Sequence, residues 1–360
     1  MNRGPNTFKS GILARHPRVT VAAAVLLVVG VLLPNFFGLY SLHITDIVMI
    51  NILVAVGLNF ILGFGGQISL CSAAFFGFGA YGYSVLTLHG FPTIVAGFAG
   101  VALGMAAGFA IGWPTLKLRG HYLALGTLGF GIIFSQLVAN FGFTGGANGL
   151  TSVPPLSVGS FVFDSDQSMY YLLLVVTVVG VLGSILFVRS PLGMRVRAMR
   201  DDEIAADVAG VNIEFMKVML FVTSAAYAAV AGVLYASLLG YVSPDAVKWD
   251  TTFNYLMMVV VGGLGSTMGT VAGAVLLTVL PENLRFLEAG YLAVFGFLVM
   301  VTMAVAPGGL SGLGIRLYDW LTGKVRTLRG LDPATGDAPE KVVVAVAPPS
   351  DGANPDTEKR

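Results

Sequence analysis

Two uncharged stretches of the chain are each long enough to cross a lipid bilayer, and they flank its most charged passage. Residues 169–188 and 218–240 contain no Asp, Glu, Lys or Arg. About 20 apolar residues are enough for one helix to span the hydrocarbon. The segment between them, residues 189–217, holds Arg189, Arg195, Arg197, Arg200, Asp201, Asp202, Glu203, Asp207, Glu214 and Lys217. This pattern predicts a water-exposed segment between two membrane-spanning helices.

The composition of the whole chain agrees with that interpretation. Apolar residues make up 56% of the chain and charged residues 11%, and the mean hydropathy is +0.83. Soluble domains carry about 25% charged residues. The predicted fold class is therefore all-α, a polytopic membrane helical bundle with about nine or ten transmembrane segments, some of them re-entrant or broken by glycine. The net charge of +1 gives no reason to expect a nucleic-acid partner, and the single Cys71 permits no internal disulfide bond.

The distribution of charge predicts the domain organisation. Basic residues in 1–18 predict a cytoplasmic N-terminal segment, and residues 19–306 are the predicted transmembrane domain. Residues 307–360 are rich in Pro, Ala, Gly and charge, which predicts a cytoplasmic and largely disordered tail. The predicted spans are 19–33, 44–62, 68–88, 93–116, a fifth that begins at 119 and ends near 143, 169–188, 218–239, a broken stretch at 253–280, and 289–305.

Two glycine-rich stretches interrupt these spans. One joins the second and third spans, and the other divides 253–280. Non-helical backbone at membrane depth must be buried in protein or line a wet cavity, because its amides cannot face lipid. The candidate residues of a translocation pathway are therefore Gly65, Gly66, Gln67 and Ser69 in the first stretch and Gly262 and Gly263 in the second. A plain interfacial turn is an equal alternative for the first stretch.

A third glycine pattern has a simpler interpretation. Gly100, Gly104, Gly108 and Gly112 recur every fourth residue in the span 93–116. Small residues at this spacing form a groove in which another helix can approach closely, so the pattern predicts helix packing.

The charged segment 189–217 contains signals for two helices. Ser190 before Pro191 is typical of a helix N-terminus. Asp201 and Asp202 can cap a short second helix, residues 203–209, which Gly210 would end. Ile204, Ala205 and Val208 would share one face of that helix. Such an apolar patch is either a docking surface or part of an ordinary solvated loop, and the spacing alone does not decide between them.

This segment resembles the cytoplasmic loop of ABC importer permeases. The run from Ala205 to Gly210 is similar to the Ala-Ala-three-residues-Gly core of that loop, and residues 190–212 are similar to the loop of LivM-type branched-chain amino acid permeases. The leading glutamate of the importer motif falls on Ile204 here, with Glu203 one place earlier. The resemblance implies that the ATPase-coupling residues are Arg200, Glu203, Ala205, Ala206 and Gly210.

Four further blocks resemble the same family and follow its order. They are the patterns within 65–81, 119–131 and 144–150 and the glycine run that starts at Gly262. Thr127, in the second of these blocks, and Gln136 downstream are further pathway candidates, although a hydrogen bond to a neighbouring helix is the preferred use of Gln136. The chain departs from the family at Cys71, Ser72 and Ile132, which leaves the solute open.

The resemblance implies the membrane-spanning subunit of an ABC importer for branched-chain, hydrophobic amino acids. It also implies two partner ATPase subunits that bind ATP and Mg, so that this chain has neither a cofactor nor an ATPase site of its own. The other expected partners are a sister permease in a heterodimer and an extracytoplasmic solute-binding protein that could meet residues 144–168. The expected location is the bilayer of the bacterial cytoplasmic (inner) membrane. Residues 144–168 could equally be a plain loop that connects two spans.

Two alternatives stay open. Relatives of the same family for urea, short amides, aromatic acids or sugars form the first. The second is an ion-coupled secondary carrier, which generally needs ionisable residues within the membrane. Asp46 is the only acid in the early spans, and its position at a span end favours capping or solvation at the interface, which weakens the carrier hypothesis.

Overall fold

The computed structural model describes residues 38–116, 120–159 and 161–283 and the single positions 296, 300, 309, 310 and 312. The α-helices of this part are α1 (Leu39–Asn59), α2 (Ser72–Leu88), α3 (Thr93–Thr115), α4 (His121–Asn140), α5 (Asp166–Arg189), α6 (Pro191–Asp201), α7 (Glu203–Val208), α8 (Ile213–Leu239), α9 (Trp249–Gly262) and α10 (Thr267–Asn283). A π-helical turn, Phe60–Phe64, continues α1, and 3-10 turns lie at Gly142–Thr144, Gly146–Asn148 and Pro244–Val247. Four two-residue strands form two antiparallel pairs, β1 (Leu150–Thr151) with β4 (Tyr241–Val242) and β2 (Ser157–Val158) with β3 (Phe161–Val162).

The prediction of an all-α polytopic membrane bundle is confirmed. Within the described ranges, five helices are long and apolar enough to cross a membrane: α1 with its π turn, α3, α4, α5 and α8. The helices α2, α9 and α10 are shorter, at 17, 14 and 17 residues. The predicted first span, the N-terminal segment and nearly all of the last span and the tail lie outside the described residues.

The helices differ in how deeply they lie in the bundle. The most apolar window of α1 is 83% buried, whereas those of α4 and α5 are each 22% buried. Large side chains such as Phe75 on α2 and Leu220 on α8 are fully enclosed, while Leu125 on α4 and Val179 on α5 are more than 60% exposed. Apolar surface of this kind is compatible with lipid or another membrane helix and not with water. The centre of the bundle is therefore formed by α1, α2 and α8.

The glycine stripe of α3 forms a packing groove, as its spacing predicts. A Cβ atom added to Gly104 would lie 2.4 Å from the Cβ of Ala229, and one added to Gly108 would lie 2.6 Å from that of Ala225. Both alanines belong to α8. The small residues thus let α3 and α8 approach closely, and Gly100 does the same towards α2, where its added Cβ would lie 2.8 Å from the carbonyl oxygen of Gly79.

Several predicted boundaries differ from the structure. The third predicted span corresponds to α2, which begins at Ser72 instead of Ile68 because the backbone between Gly65 and Cys71 is not helical and Gly66 has a positive φ of 66°. The fifth span ends at Asn140, where short 3-10 turns replace the α-helix. The predicted exposed loop 144–168 is partly ordered, since β1 pairs with β4 and Tyr83 on α2 donates a hydrogen bond to the carbonyl of Pro154 at 2.8 Å.

The interpretation of Asp46 as a solvated or capping residue is wrong. This side chain is only 1% exposed, and its Oδ1 atom has no hydrogen-bond partner among the described residues. It lies seven positions inside α1, which begins at Leu39, and is therefore beyond the first turn, where a carboxylate could cap the helix.

Candidate functional site

The first glycine break, residues 63–71, comprises the end of the π turn and the non-helical backbone that follows it up to α2. Thr127 on α4 accepts a hydrogen bond from the backbone amide of Leu70 at 3.0 Å, and Thr252 on α9 accepts one from the amide of Ala73 at 3.1 Å. The hydroxyl of Ser69 lies 3.2 Å from the sulfur of Cys71. Amides that leave the helix at membrane depth need such partners. Thr127 thus lies at the break that contains Gly65, Gly66, Gln67 and Ser69, while Thr252 is a residue that sequence reasoning missed.

The second glycine break connects α9 to α10, as the broken form of 253–280 predicts. Gly263 has a φ of 114° and Gly265 one of 76°, so both adopt backbone conformations that L residues rarely take. A Cβ on Gly262 would lie 2.3 Å from the carbonyl oxygen of Gly269 on α10. The two helices therefore fold back on each other with their backbones in contact, as a helical hairpin. Gly309, one of the few described residues beyond α10, is buried against Gly263.

The two breaks meet around a buried asparagine. The Oδ1 atom of Asn59, at the end of α1, accepts a hydrogen bond from the amide of Gly265 at 3.1 Å. Asn59 is 0% exposed, and its Nδ2 atom has no partner among the described residues. A Cβ on Gly63 would lie 1.8 Å from this Oδ1 and 2.4 Å from the amide nitrogen of Gly265. Only glycine fits at position 63, because any side chain would collide with both groups.

The charged segment contacts the point where the two breaks meet, and it does so through Arg200. Its Nη1 donates a hydrogen bond of 2.6 Å to the carbonyl of Gly63. A Cβ on Gly265 would lie 3.1 Å from the same nitrogen atom. We call the group formed by Asn59, Gly63, Arg200 and Gly265 the break junction. Sequence reasoning missed Asn59, although an amide within an apolar span was a signal, since such a group seeks a hydrogen-bond partner in the membrane.

The two short helices of the charged segment form as their capping residues predict. Ser190 accepts a hydrogen bond from the amide of Gly193 at 3.2 Å and precedes Pro191 at the start of α6. Asp202 caps α7 by accepting from the amides of Ile204 at 2.9 Å and Ala205 at 3.0 Å. Gly210 follows α7 with a φ of 84°. These caps fix the shape of the segment through short-range interactions.

The short helix α7 exposes an apolar face on the surface of the chain. Ile204 is 73% exposed and Val208 is 85% exposed, whereas Ala206 is 4% exposed and packs inward. Ala205 is also exposed. Exposed branched side chains in a charged segment are typical of surfaces that contact another protein.

Glu203 is engaged within the chain instead of facing outward. It forms an ion pair with Lys217 on α8, a side chain that is largely buried. An open groove of about 560 Å³ lies beside this pair, and its lining includes Ile204, Asp207 and Gly210. The pair joins the first residue of α7 to the base of a central helix.

A cavity of about 240 Å³ lies between the first break and the charged segment. Its lining includes Gly65, Gly66 and Gln67 on one side and Arg200 and Glu203 on the other. The Oε1 atom of Gln67 is buried and has no partner among the described residues. The first break and the coupling candidates are thus neighbours across one cavity.

Gln136 is the one pathway candidate that lies apart from the breaks. It is exposed on α4, and its backbone carbonyl accepts a hydrogen bond from the Nδ2 of Asn140 at 2.7 Å. Nine residues separate it from Thr127 on the same helix, which corresponds to about 13 Å. The structure therefore does not bring Gln136 to the break junction.

Comparison with known proteins gives a consistent result. The family model for the branched-chain amino acid transport system permease component matches residues 40–306. The chain is 34% identical over 314 residues to the high-affinity branched-chain amino acid transport system permease protein LivM of Salmonella typhimurium, which covers 79% of this chain and 73% of the relative. It is 33% identical to LivM of Escherichia coli (85% and 78% covered) and 26% identical to LivH of Salmonella typhimurium (72% and 90% covered). No solved structure matches. With its apolar helices, the chain is a multi-pass membrane permease that belongs to the branched-chain amino acid transport permease family.

Proposed function

We propose that this chain is the membrane-spanning subunit of an ABC importer that moves branched-chain amino acids across the bacterial inner membrane. The single observation that carries the proposal is the exposed apolar face of α7, held by caps on a charged segment that contacts the first glycine break. A partner ATPase that binds this face can transmit force to backbone inside the membrane. The names of the LivM relatives supply the solute class.

Other subunits would supply ATP hydrolysis, the second half of the membrane domain and the delivery of solute. Two ATPase subunits bind ATP and Mg and dock on the coupling residues of segment 189–217. A sister permease covers apolar surface of the kind that α4 and α5 expose, and relatives with the names LivM and LivH support a pair of different permeases. An extracytoplasmic solute-binding protein delivers the solute at the loops joined by β1 and β4.

The experiment that tests this function is purification of the tagged chain from its native membrane in mild detergent. We expect two ATPases and a second polytopic chain to co-purify, and the reconstituted complex to take up labelled leucine only with ATP and the binding protein present. Recovery of the chain alone, with uptake driven by an ion gradient, would contradict the proposal.

The variant Gly210→Leu tests the docking surface. Gly210 has a positive φ and open space around it, so the substitution strains the backbone after α7 without creating a collision. We expect loss of ATP-driven uptake while insertion into the membrane persists. Gly90→Leu is the matched control, because Gly90 has a φ of 87° and equally open surroundings in the turn between α2 and α3. Equal uptake by the two variants would argue against docking at α7.

The ion-coupled carrier is retained as a second candidate because Asp46 is a buried acid with a free carboxylate oxygen among the described residues. If the carrier hypothesis holds, Asp46→Asn abolishes uptake, since carriers use intramembrane ionisable groups. In the ABC importer we expect Asp46→Asn to keep at least half of the ATP-driven uptake rate. The measurement is initial uptake with ATP alone and with an ion gradient alone.

A further inference from the structure

Arg200 connects the coupling segment to the first glycine break through two kinds of contact. Its guanidinium donates the hydrogen bond of 2.6 Å to the carbonyl of Gly63. Its aliphatic part lies over Gly66, where an added Cβ would come within 2.9 Å of the Arg200 Cγ. Charge-assisted hydrogen bonds are about twice as strong as neutral ones, so this contact is among the stronger ties of the break.

Asn59, at the end of α1, connects the second break to the residues that Arg200 contacts. Its Oδ1 holds the amide of Gly265, and the adjacent backbone of Gly63 carries the carbonyl that Arg200 binds. Gly63 and Gly265 are adjacent, and each is hydrogen-bonded to one of the two side chains, Gly63 to Arg200 of α6 and Gly265 to Asn59 of α1. Loss of Arg200 would leave the carbonyl of Gly63 without this donor, and loss of Asn59 would leave the amide of Gly265 without this acceptor.

The helix that carries Arg200 is suited to transmit movement. Val196 and Met199 of α6 are buried in the core, at 0% and 4% exposure. Arg200 lies in the last turn of α6, and only the capping residue Asp202 separates α6 from α7. A displacement of α7 by a docked partner therefore acts on Arg200 through Asp202, and on Lys217 of α8 through the ion pair with Glu203.

We propose that Arg200 is a positioning residue that keeps the two glycine breaks together and releases them when α7 is displaced. This inference rests on the proposed function, because the displacement comes from the ATPase subunits. In the resting protein, the bond from Arg200 to Gly63 holds the cytoplasmic side of the first break closed. When Arg200 withdraws, the Gly63 carbonyl loses its donor, and the contact of the first break with Gly265 then depends on the bond to Asn59.

Cys71 provides a natural reporter of this event. It is the sole cysteine of the chain, lies at the end of the first break and is 0% exposed. Its alkylation by N-ethylmaleimide in inside-out membrane vesicles measures how often the break opens. The vesicles contain the full-length chain with its native partners. Alkylation is followed by the mass of the protein.

We expect Arg200→Ala to raise the alkylation rate of Cys71 about tenfold or more, because it removes a charge-assisted bond to a buried carbonyl. Arg200→Lys retains the cation and should show an intermediate rate. The matched control is Arg197→Ala, since Arg197 lies on the same helix and donates a similar bond of 2.8 Å to the carbonyl of Val188, outside the break junction. This control should label like the wild type.

The amount of solute imported per ATP hydrolysed is a second readout. A merely structural role of Arg200 would leave this ratio unchanged. We expect Arg200→Ala to retain its ATPase partners and hydrolyse ATP while importing about tenfold less solute per ATP than Arg197→Ala. Equal labelling and equal solute per ATP in the two variants would overturn the proposal. If Arg200→Ala fails to accumulate, Arg200→Lys carries the same test against the same control. Absence of ATP-driven uptake by the wild type would instead reject the proposed function, and the Cys71 comparison would still decide whether Arg200 closes the break.

Discussion

The two glycine breaks are similar in composition but are held by different parts of the molecule. The first break donates a hydrogen bond to Thr127 on α4 and accepts one from Arg200 on α6, and the first turn of α2 that follows it donates one to Thr252 on α9. In the second break, the amide of Ser266 bonds to the carbonyl of Gly263 and its hydroxyl accepts from the amide of Gly269, while the amide of Gly265 donates to Asn59 on α1. The difference shows that the first break depends on three other helices, including α6 of the coupling segment, whereas the second is a hairpin that combines bonds among its own residues with one bond to α1.

The largest expected effect comes from filling the point where the breaks meet. In Gly63→Ala the new Cβ would lie 1.8 Å from the Oδ1 of Asn59, so the junction must open. We expect a loss of about 3 kcal/mol or more in the free energy of unfolding, measured as a lower melting temperature in detergent. Gly129→Ala on α4 is the control, because an added Cβ there meets nothing within 4 Å and alanine favours the helix. Equal melting temperatures for the two variants would contradict the meeting of the breaks.

Removal of one hydrogen-bond acceptor from each break is expected to have a smaller effect on stability, and the effect should differ between the two breaks. Thr127→Val keeps the shape of the side chain but leaves the amide of Leu70 without its acceptor at membrane depth, which costs about 1–3 kcal/mol. Ser266→Ala removes the capping bond to Gly269 within the hairpin, and the expected cost is about 1 kcal/mol. Chemical denaturation of both variants measures the difference. If Ser266→Ala proved the more damaging, the greater dependence of the first break on other helices would be contradicted.

The sequence was sufficient to predict the breaks but insufficient to predict what holds them. Glycine content and span length marked both breaks, and the caps at Ser190 and Asp202 marked α6 and α7, because these signals act over a few residues. The contacts of Asn59 with Gly265 and of Arg200 with Gly63 join residues that are 206 and 137 positions apart. No local pattern carries such information. The burial of Asp46 was mispredicted for the same reason, since it depends on how other helices surround α1.

The smallest effect is expected at Gln136. This side chain is exposed on α4, well away from both breaks, so Gln136→Leu should leave the KM and the maximal rate of leucine uptake within about twofold of the wild type. Uptake by reconstituted vesicles over a range of leucine concentrations measures both constants. A large rise in KM would place Gln136 on the solute route after all and would extend the pathway beyond the two breaks.

The most direct test of the contact between the coupling segment and the first break is a disulfide cross-link. A Cβ on Gly66 would lie 3.7 Å from the Cβ of Arg200, within the range of about 3.5–4.5 Å that disulfides require. We predict that Gly66→Cys with Arg200→Cys, in a Cys71→Ser background, forms an intramolecular disulfide under mild oxidation of native membranes. The control pair is Gly129→Cys with Arg200→Cys, which should not cross-link, since a Cβ at Gly129 has no neighbour within 4 Å. Cross-linking of the first pair no faster than the control would contradict the account.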